Sequence, residues 1–347
     1  METTSQTRRR QLLRWAKPIF RLAILVLVGY GIWGTVVQAG EDLAARDFRL
    51  RDLRPGWLVL SSLIYLAALV PCWRFWHRIL QVMGQQPHWR ETMRAFYIGH
   101  LGKYVPGKAM VVVLRTALVR SPRVNTAIAA STVFVETLTM MAVGAFVAAG
   151  ILGLLFREQR GLMLLALGLM VCAGLPTLPP IFRILVKRLG MGKVTGQVDL
   201  DAAVRGLTAR VMVVGWLTIA VGWGLMGLSL WAVMRASGPE LVSLWDWPLL
   251  TACVALALVA GFLSLLPGGI GVREAVVTAL LAEPFGAGPA VIAAILLRLT
   301  WLGGELALSS LLYLGKPPED DPEGQEERKI VTSEGNPGLP EQVSSVS

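Results

Sequence analysis

The chain is poor in the features that mark a soluble enzyme. Only 16% of its 347 residues are charged, against about a quarter in an ordinary soluble domain, which excludes a well-solvated surface wrapped around a globular core. It has three cysteines and three histidines. Cys72, Cys172 and Cys253 all lie inside apolar stretches and form no C-x-x-C pair, so neither a disulfide framework nor a zinc ribbon is expected. His77, His88 and His100 are too scattered to form a ligand set with metal spacing, and no metal or cofactor is expected. There is no G-x-S-x-G, no H-E-x-x-H and no carboxylate-rich loop for a metal-bound diphosphate, which leaves no activated nucleophile and no expectation of an enzyme. Nor does any basic run interleave with aromatics in a polar domain, so the net charge of +10 does not point to nucleic acid.

What the chain does have is hydrophobicity. Residues of the hydrophobic class make up 54% of it, mean hydropathy is +0.58, and apolar runs of about 20 residues, enough to cross a bilayer core as helices, recur along it. The expected fold is an all-α polytopic transmembrane bundle of about seven to eight membrane segments. Spans are expected at Leu22 to Ala39, Gly56 to Trp73, 126–156, 161–182, 211–234, 248–266 and Pro289 to Leu314. Residues 1–18 form a basic tail, 19–314 one membrane domain, and 315–347 a tail in which eight acids outnumber three bases. That last segment reads as disordered, because it has too little apolar surface to bury.

The loop charges orient the spans. Arg8, Arg9, Arg10, Arg14 and Lys17 precede the first one, which places the N-terminus in the cytoplasm by the positive-inside rule. The first span is longer than the apolar core of a signal peptide. The 41–54 loop carries four acids and four arginines and is read as external, whereas the stretches holding Arg74, Arg78, Arg90 and Arg94, and 183–210 with six bases against two acids, are read as internal. The locality expected is therefore the cytoplasmic membrane, with basic side chains facing anionic lipid.

Two apolar segments are interrupted. Gly102-Lys103-Tyr104-Val105-Pro106-Gly107-Lys108 leads into Arg115, and Leu266-Pro267-Gly268-Gly269-Ile270-Gly271 leads into Arg273 and Glu274. Proline removes a backbone donor and clashes with the preceding turn, so neither segment is expected to be one continuous helix. The two also align weakly with each other, Val105-Pro106-Gly107 with Leu266-Pro267-Gly268. Paired interruptions of this kind point to a binding site near the membrane midplane, because irregular backbone at that depth is tolerated only where protein or water surrounds it. Both segments are expected to be re-entrant and to face an internal cavity. Four expected spans separate them, which would put both on the same side of the membrane, whereas an inverted repeat needs an odd number. A kinked span with Lys103, Lys108 and Arg115 reaching the headgroups is the competing reading.

Ionisable groups at membrane depth are costly and are functional candidates by default. Lys103, Lys108, Arg115 and Arg273, with Pro106, Gly107, Pro267, Gly268, Gly269 and Gly271 shaping the backbone, form the expected phosphate cradle. Glu136, Glu274, Arg298 and Glu305 are expected as charge partners. Glu136 needs a base, with Arg115, Arg273 and Arg298 as candidates. Arg298 and Glu305, two helical turns apart, should share an inward face.

These two charged Pro-Gly regions resemble the signature regions of the lysylphosphatidylglycerol synthase transmembrane-domain family, also described as flippase-like, over roughly residues 15–315. The resemblance implies lipid translocation between leaflets. In the family's best understood members the domain is joined to a cytosolic aminoacyl-transferase. Here 33 residues follow Leu314, so translocation rather than lysyl transfer is implied. The expected function is movement of an anionic phospholipid or lipid-linked phosphate across the cytoplasmic membrane. The alternatives are a non-catalytic partner of a lipid or envelope-synthesis enzyme, and an intramembrane lipid-modifying enzyme.

Overall fold

A computed structural model describes residues 53–105, 109–119, 121, 123–155, 206–238, 240, 242–264 and 266–315, together with isolated positions elsewhere. The expected spans at Leu22 to Ala39 and 161–182, the 1–18 and 316–347 tails, Cys172 and the Pro106-Gly107-Lys108 triplet lie outside the described residues. The chain divides into two units, Met1–Tyr313 and Leu314–Ser347; the features below belong to the first.

Eight helices are described: α1 Pro55–Val82, α2 Trp89–His100, α3 Ala109–Val119, α4 Thr126–Leu155, α5 Ala209–Ser237, α6 Trp247–Leu263, α7 Val272–Phe285 and α8 Ala287–Leu314. Short 3-10 turns at Leu101–Tyr104, Leu244–Asp246 and Pro267–Gly269 punctuate them. Five helical stretches are long and apolar enough to cross a membrane: α1, α4, α5, α8, and α6 together with the turn before it. They coincide with the five expected spans that fall among the described residues, and the chain is an all-α membrane bundle.

The boundaries differ where packing overrides hydropathy. α1 continues past Trp73, where the expected span ends, because Phe75, Trp76, Ile79 and Leu80 stay buried while Arg74 and Arg78 point outward from the same turns. Trp89–His100, read from its charges as internal loop, is an amphipathic helix. His88 caps its N-terminus by accepting from the Arg90 amide, and Thr92, Ala95, Phe96 and Gly99 are buried along one face.

The antiparallel pair α1 and α5 forms the spine. Its contacts recur every seven residues on both helices. The Arg54 amide donates to the Ala236 carbonyl at 3.1 Å, and the Ser61 and Ser229 hydroxyls meet at 2.8 Å. Farther along, the Ala68 carbonyl lies against Gly222 and the Phe75 ring against Gly215. Small residues at a heptad repeat let two helices approach closely, which replaces the hydrophobic drive that lipid cannot supply. α4 packs on the spine through Gly144, whose missing side chain admits the Trp223 indole; that indole donates to the Met140 carbonyl at 3.1 Å. α6 docks through Thr251 against Gly227. α8 is tied in by Trp301, which stacks on Tyr65 at 4.0 Å and donates to Ser229 at 2.8 Å.

The helices that flank the two interrupted segments pack as hairpins. α2 and α3 pack against each other as a hairpin whose tip contains the Leu101–Tyr104 turn, and α6 and α7 pack as a hairpin whose tip is the Pro267–Gly269 turn. Twelve- and eleven-residue arms are each about 16–18 Å long, so the first hairpin reaches only partway into a core of about 30 Å. The two tips touch each other inside the bundle.

Candidate functional site at the meeting of the two tips

The first tip is closed by a tight backbone approach. A side chain at Gly102 would collide with the Val111 amide nitrogen at 2.7 Å, and one at Gly99 with the Arg115 side chain at 2.5 Å. The missing side chains let α3 fold back along α2 and aim Arg115 inward. Arg115 is 2% exposed and Glu136 1%. The guanidinium donates to the Glu136 carboxylate at 2.7 Å and lies 4.1 Å from the Phe96 ring centroid and 5.4 Å from that of Trp76. Of the three candidate partners for Glu136, the fold selects Arg115, and Thr137 adds a hydroxyl to the same carboxylate at 3.4 Å. Two further threonines of this helix are bonded elsewhere. Thr139 donates to the Val135 carbonyl, and Thr132 accepts from Trp76 while donating to Ala129.

The second tip uses glycine for conformation as well as for space. Gly268 and Gly269 have φ of +59° and +69°, the left-handed region that only glycine enters at little cost. Sequence reasoning assigns this room to an approaching ligand. The structure gives it to Arg273, whose side chain runs through the slot between Gly261 and Gly269; a Cβ at either position would lie within 3 Å of the Arg273 Nε. Pro267 and Gly271 shape the turn and are not among the residues that line the two cavities described below. The Gly271 amide donates to the Glu274 carboxylate at 2.8 Å, capping α7.

Glu305 is the hub between the tips. It is 2% exposed and receives Lys103 from the first tip, the Tyr65 hydroxyl from α1 and the Tyr104 hydroxyl at 3.1 Å. His100 Nε2 stands 3.8 Å from it and 3.4 Å from the Tyr65 hydroxyl. One turn-pair earlier on α8, Arg298 pairs with Glu274 on α7. Arg298 and Glu305 thus both point inward, as their spacing requires, but each binds a different partner.

A cavity of about 370 Å³ opens where these groups meet. Its polar lining is His100, Lys103, Arg115, Glu136 and Arg273, and Gly268 and Gly269 also line it. Its apolar lining includes Val111, Val112, Phe134, Leu138, Met141, Phe262 and Leu266, of which Phe134 and Leu266 are exposed at the surface of the bundle. A smaller cavity of about 40 Å³ adjoins it, shares Lys103, Gly268, Arg273 and Trp301, and adds Glu274 and Arg298. Five expected cradle residues, Lys103, Arg115, Gly268, Gly269 and Arg273, therefore converge on one space with Glu136, while Glu274, Arg298 and Glu305 stand beside it.

The cations differ in how they are held. Lys103, Arg115 and Arg298 each have a carboxylate, whereas among the described residues none lies within ion-pair distance of Arg273, and its buried Nε has no hydrogen-bond partner. Sequence reasoning missed Tyr65, Tyr104 and Trp301. The one signal for Tyr104 is its place beside Lys103 at the break; Tyr65 and Trp301 stand in ordinary apolar runs and give none. Among the described residues no group of three His, Cys, Asp or Glu side chains could hold a metal ion.

The model of the lysylphosphatidylglycerol synthase TM region matches residues 7–303 of this chain. The chain belongs to that family, and it is a multi-pass membrane protein. No curated protein matches it.

Proposed function

We propose that this family member is a lipid translocator of the cytoplasmic membrane, with its N-terminus in the cytoplasm. It carries an anionic phospholipid or lipid-linked phosphate whose charged group sits at Arg273. The observation that supports this reading is an arginine with no carboxylate partner among the described residues, set in the lining of a cavity that is otherwise largely apolar. A buried cation without a counter-charge is costly, and a phosphate oxyanion relieves that cost through charge-assisted hydrogen bonds. Lys103 and Arg115 line the same cavity. Their carboxylates hold them when the site is empty and let them lean toward the anion when it is filled. The apolar lining takes the upper part of the acyl chains. The reading requires no covalent chemistry, so we take the protein to be a carrier and not an enzyme.

The test is transbilayer movement of fluorescent phosphatidylglycerol in liposomes holding the purified protein. Arg273→Gln should slow movement about tenfold or more, the worth of one charged hydrogen-bonded contact, and Arg273→Lys should retain part of it. Arg115→Ala is the poorer probe, because it leaves Glu136 buried without a partner. Absence of movement by the wild type with any anionic lipid would sink the translocator reading and favour a non-catalytic partner of an envelope-synthesis enzyme.

A further inference from the structure

A groove on the outside of the spine shares no residue with the central cavity. This groove, of about 980 Å³, follows the seam of α1 and α5 from the level of Val82 and Thr208 to that of Val70 and Val221. Twelve residues of helix rise about 18 Å, close to the depth of one leaflet of a core of about 30 Å. Phe75 and Gly215 form its floor, where the heptad contact of the spine closes it.

The groove is graded along its length. Arg210 and Arg78 line the part near Val82 and Arg74 lies midway along the groove; all three are exposed. Arg78 donates to the neighbouring Gln81 at 3.3 Å, and among the described residues no carboxylate lines the groove or pairs with any of the three. Val211 and Val214 lie between the levels of the arginines, and beyond Arg74 the lining is Pro71, Val70, Val221 and Thr218, the last turned back onto the Val214 and Gly215 carbonyls. Positive charge at the headgroup level followed by valine at acyl depth is the charge and polarity profile of one acidic phospholipid, inverted in sign. Basic pockets between membrane helices on the cytoplasmic side take such headgroups, and the positive-inside rule sets this end in the cytoplasm.

We infer that the α1–α5 groove binds one phospholipid of net negative headgroup from the leaflet that faces Arg74, Arg78 and Arg210. The bound lipid seals the seam and shields three arginines from one another. This site does not depend on the translocator reading, since a protein that moves no lipid would still hold this one.

The test is photolabelling of the full chain in phosphatidylcholine vesicles doped with phosphatidylglycerol that bears a diazirine near its acyl terminus, with the adducts mapped to peptides. The expected result is labelling around Val70 and Val221, at least roughly tenfold weaker in the Arg74→Gln/Arg78→Gln/Arg210→Gln variant and retained when the three are changed to lysine. Arg273→Gln leaves it unchanged. If the triple variant does not fold, Arg210→Gln on the exposed first turn of α5 should weaken labelling about threefold. Equal labelling by a phosphatidylcholine probe, labelling that survives loss of the arginines, or none at this seam would each overturn the inference.

Discussion

Arg115, Glu136, Lys103 and Glu305 show how few side chains carry the charge inside this bundle. Removing one partner of a buried ion pair strands the other, which costs about 3–5 kcal/mol. Glu136→Gln should therefore lower the unfolding temperature in detergent sharply, and Arg115→Met in the same chain should restore much of the loss. An additive double variant would mean that the two groups do not depend on each other. At Glu305 three donors share one carboxylate, so Tyr104→Phe should cost only about 1 kcal/mol, well below Glu305→Gln, which leaves Lys103 without its counter-charge. Gly269→Ala meets both a left-handed backbone and the Arg273 side chain within 3 Å. It should destabilise more than Gly271→Ala, which shares the positive φ of +80° but has nothing within 4 Å. Equal unfolding shifts for the two would show that backbone conformation alone, of order 1–3 kcal/mol, sets the cost.

Between elements the decisive residues are small. Gly144 admits the Trp223 ring, with only 2.5 Å between that ring and where a Cβ would stand, whereas Gly150, six residues on in α4, has nothing within 4 Å. Gly144→Leu should push α4 off α5 and reduce the yield of monodisperse protein in detergent, and Gly150→Leu should leave it unchanged. The same logic governs the two hairpins. Each is a pair of helices that brings a base to the cavity, Lys103 from the first and Arg273 from the second, and residues 101–104 and 267–269 touch. The Pro-Gly pairing is visible in the sequence, but the contact between residues 101–104 and 267–269 joins segments more than 160 positions apart, and no local pattern announces it.

At the scale of the molecule, α1 and α5 fix a common end. The 83–88 connection and Thr208 lie at one end of the spine, and the 237–244 connection lies at the other. With the basic end in the cytoplasm, a cysteine replacing Trp245, which is 92% exposed, should react with an impermeant maleimide added outside intact cells, and one replacing Gln86 should react only after permeabilisation. The reverse pattern would invert the whole bundle and move the seam groove to the outer leaflet.

By itself the sequence determined the solvent of this protein, its class of fold and five of its spans, because hydropathy acts residue by residue and needs no neighbours. It also marked Lys103, Arg115, Glu136, Arg273, Glu274, Arg298 and Glu305, since a charge inside an apolar run is conspicuous wherever it later points. Tertiary structure alone decided the pairing: Arg115 with Glu136, Lys103 with Glu305, Arg298 with Glu274, and Arg273 with no carboxylate among the described residues. It also decided that glycine at the second tip makes room for an arginine, and that Tyr65 and Trp301, silent in their runs, complete the hub. Coulomb attraction and close packing depend on distances between groups far apart in the chain, and those distances exist only after the helices have met.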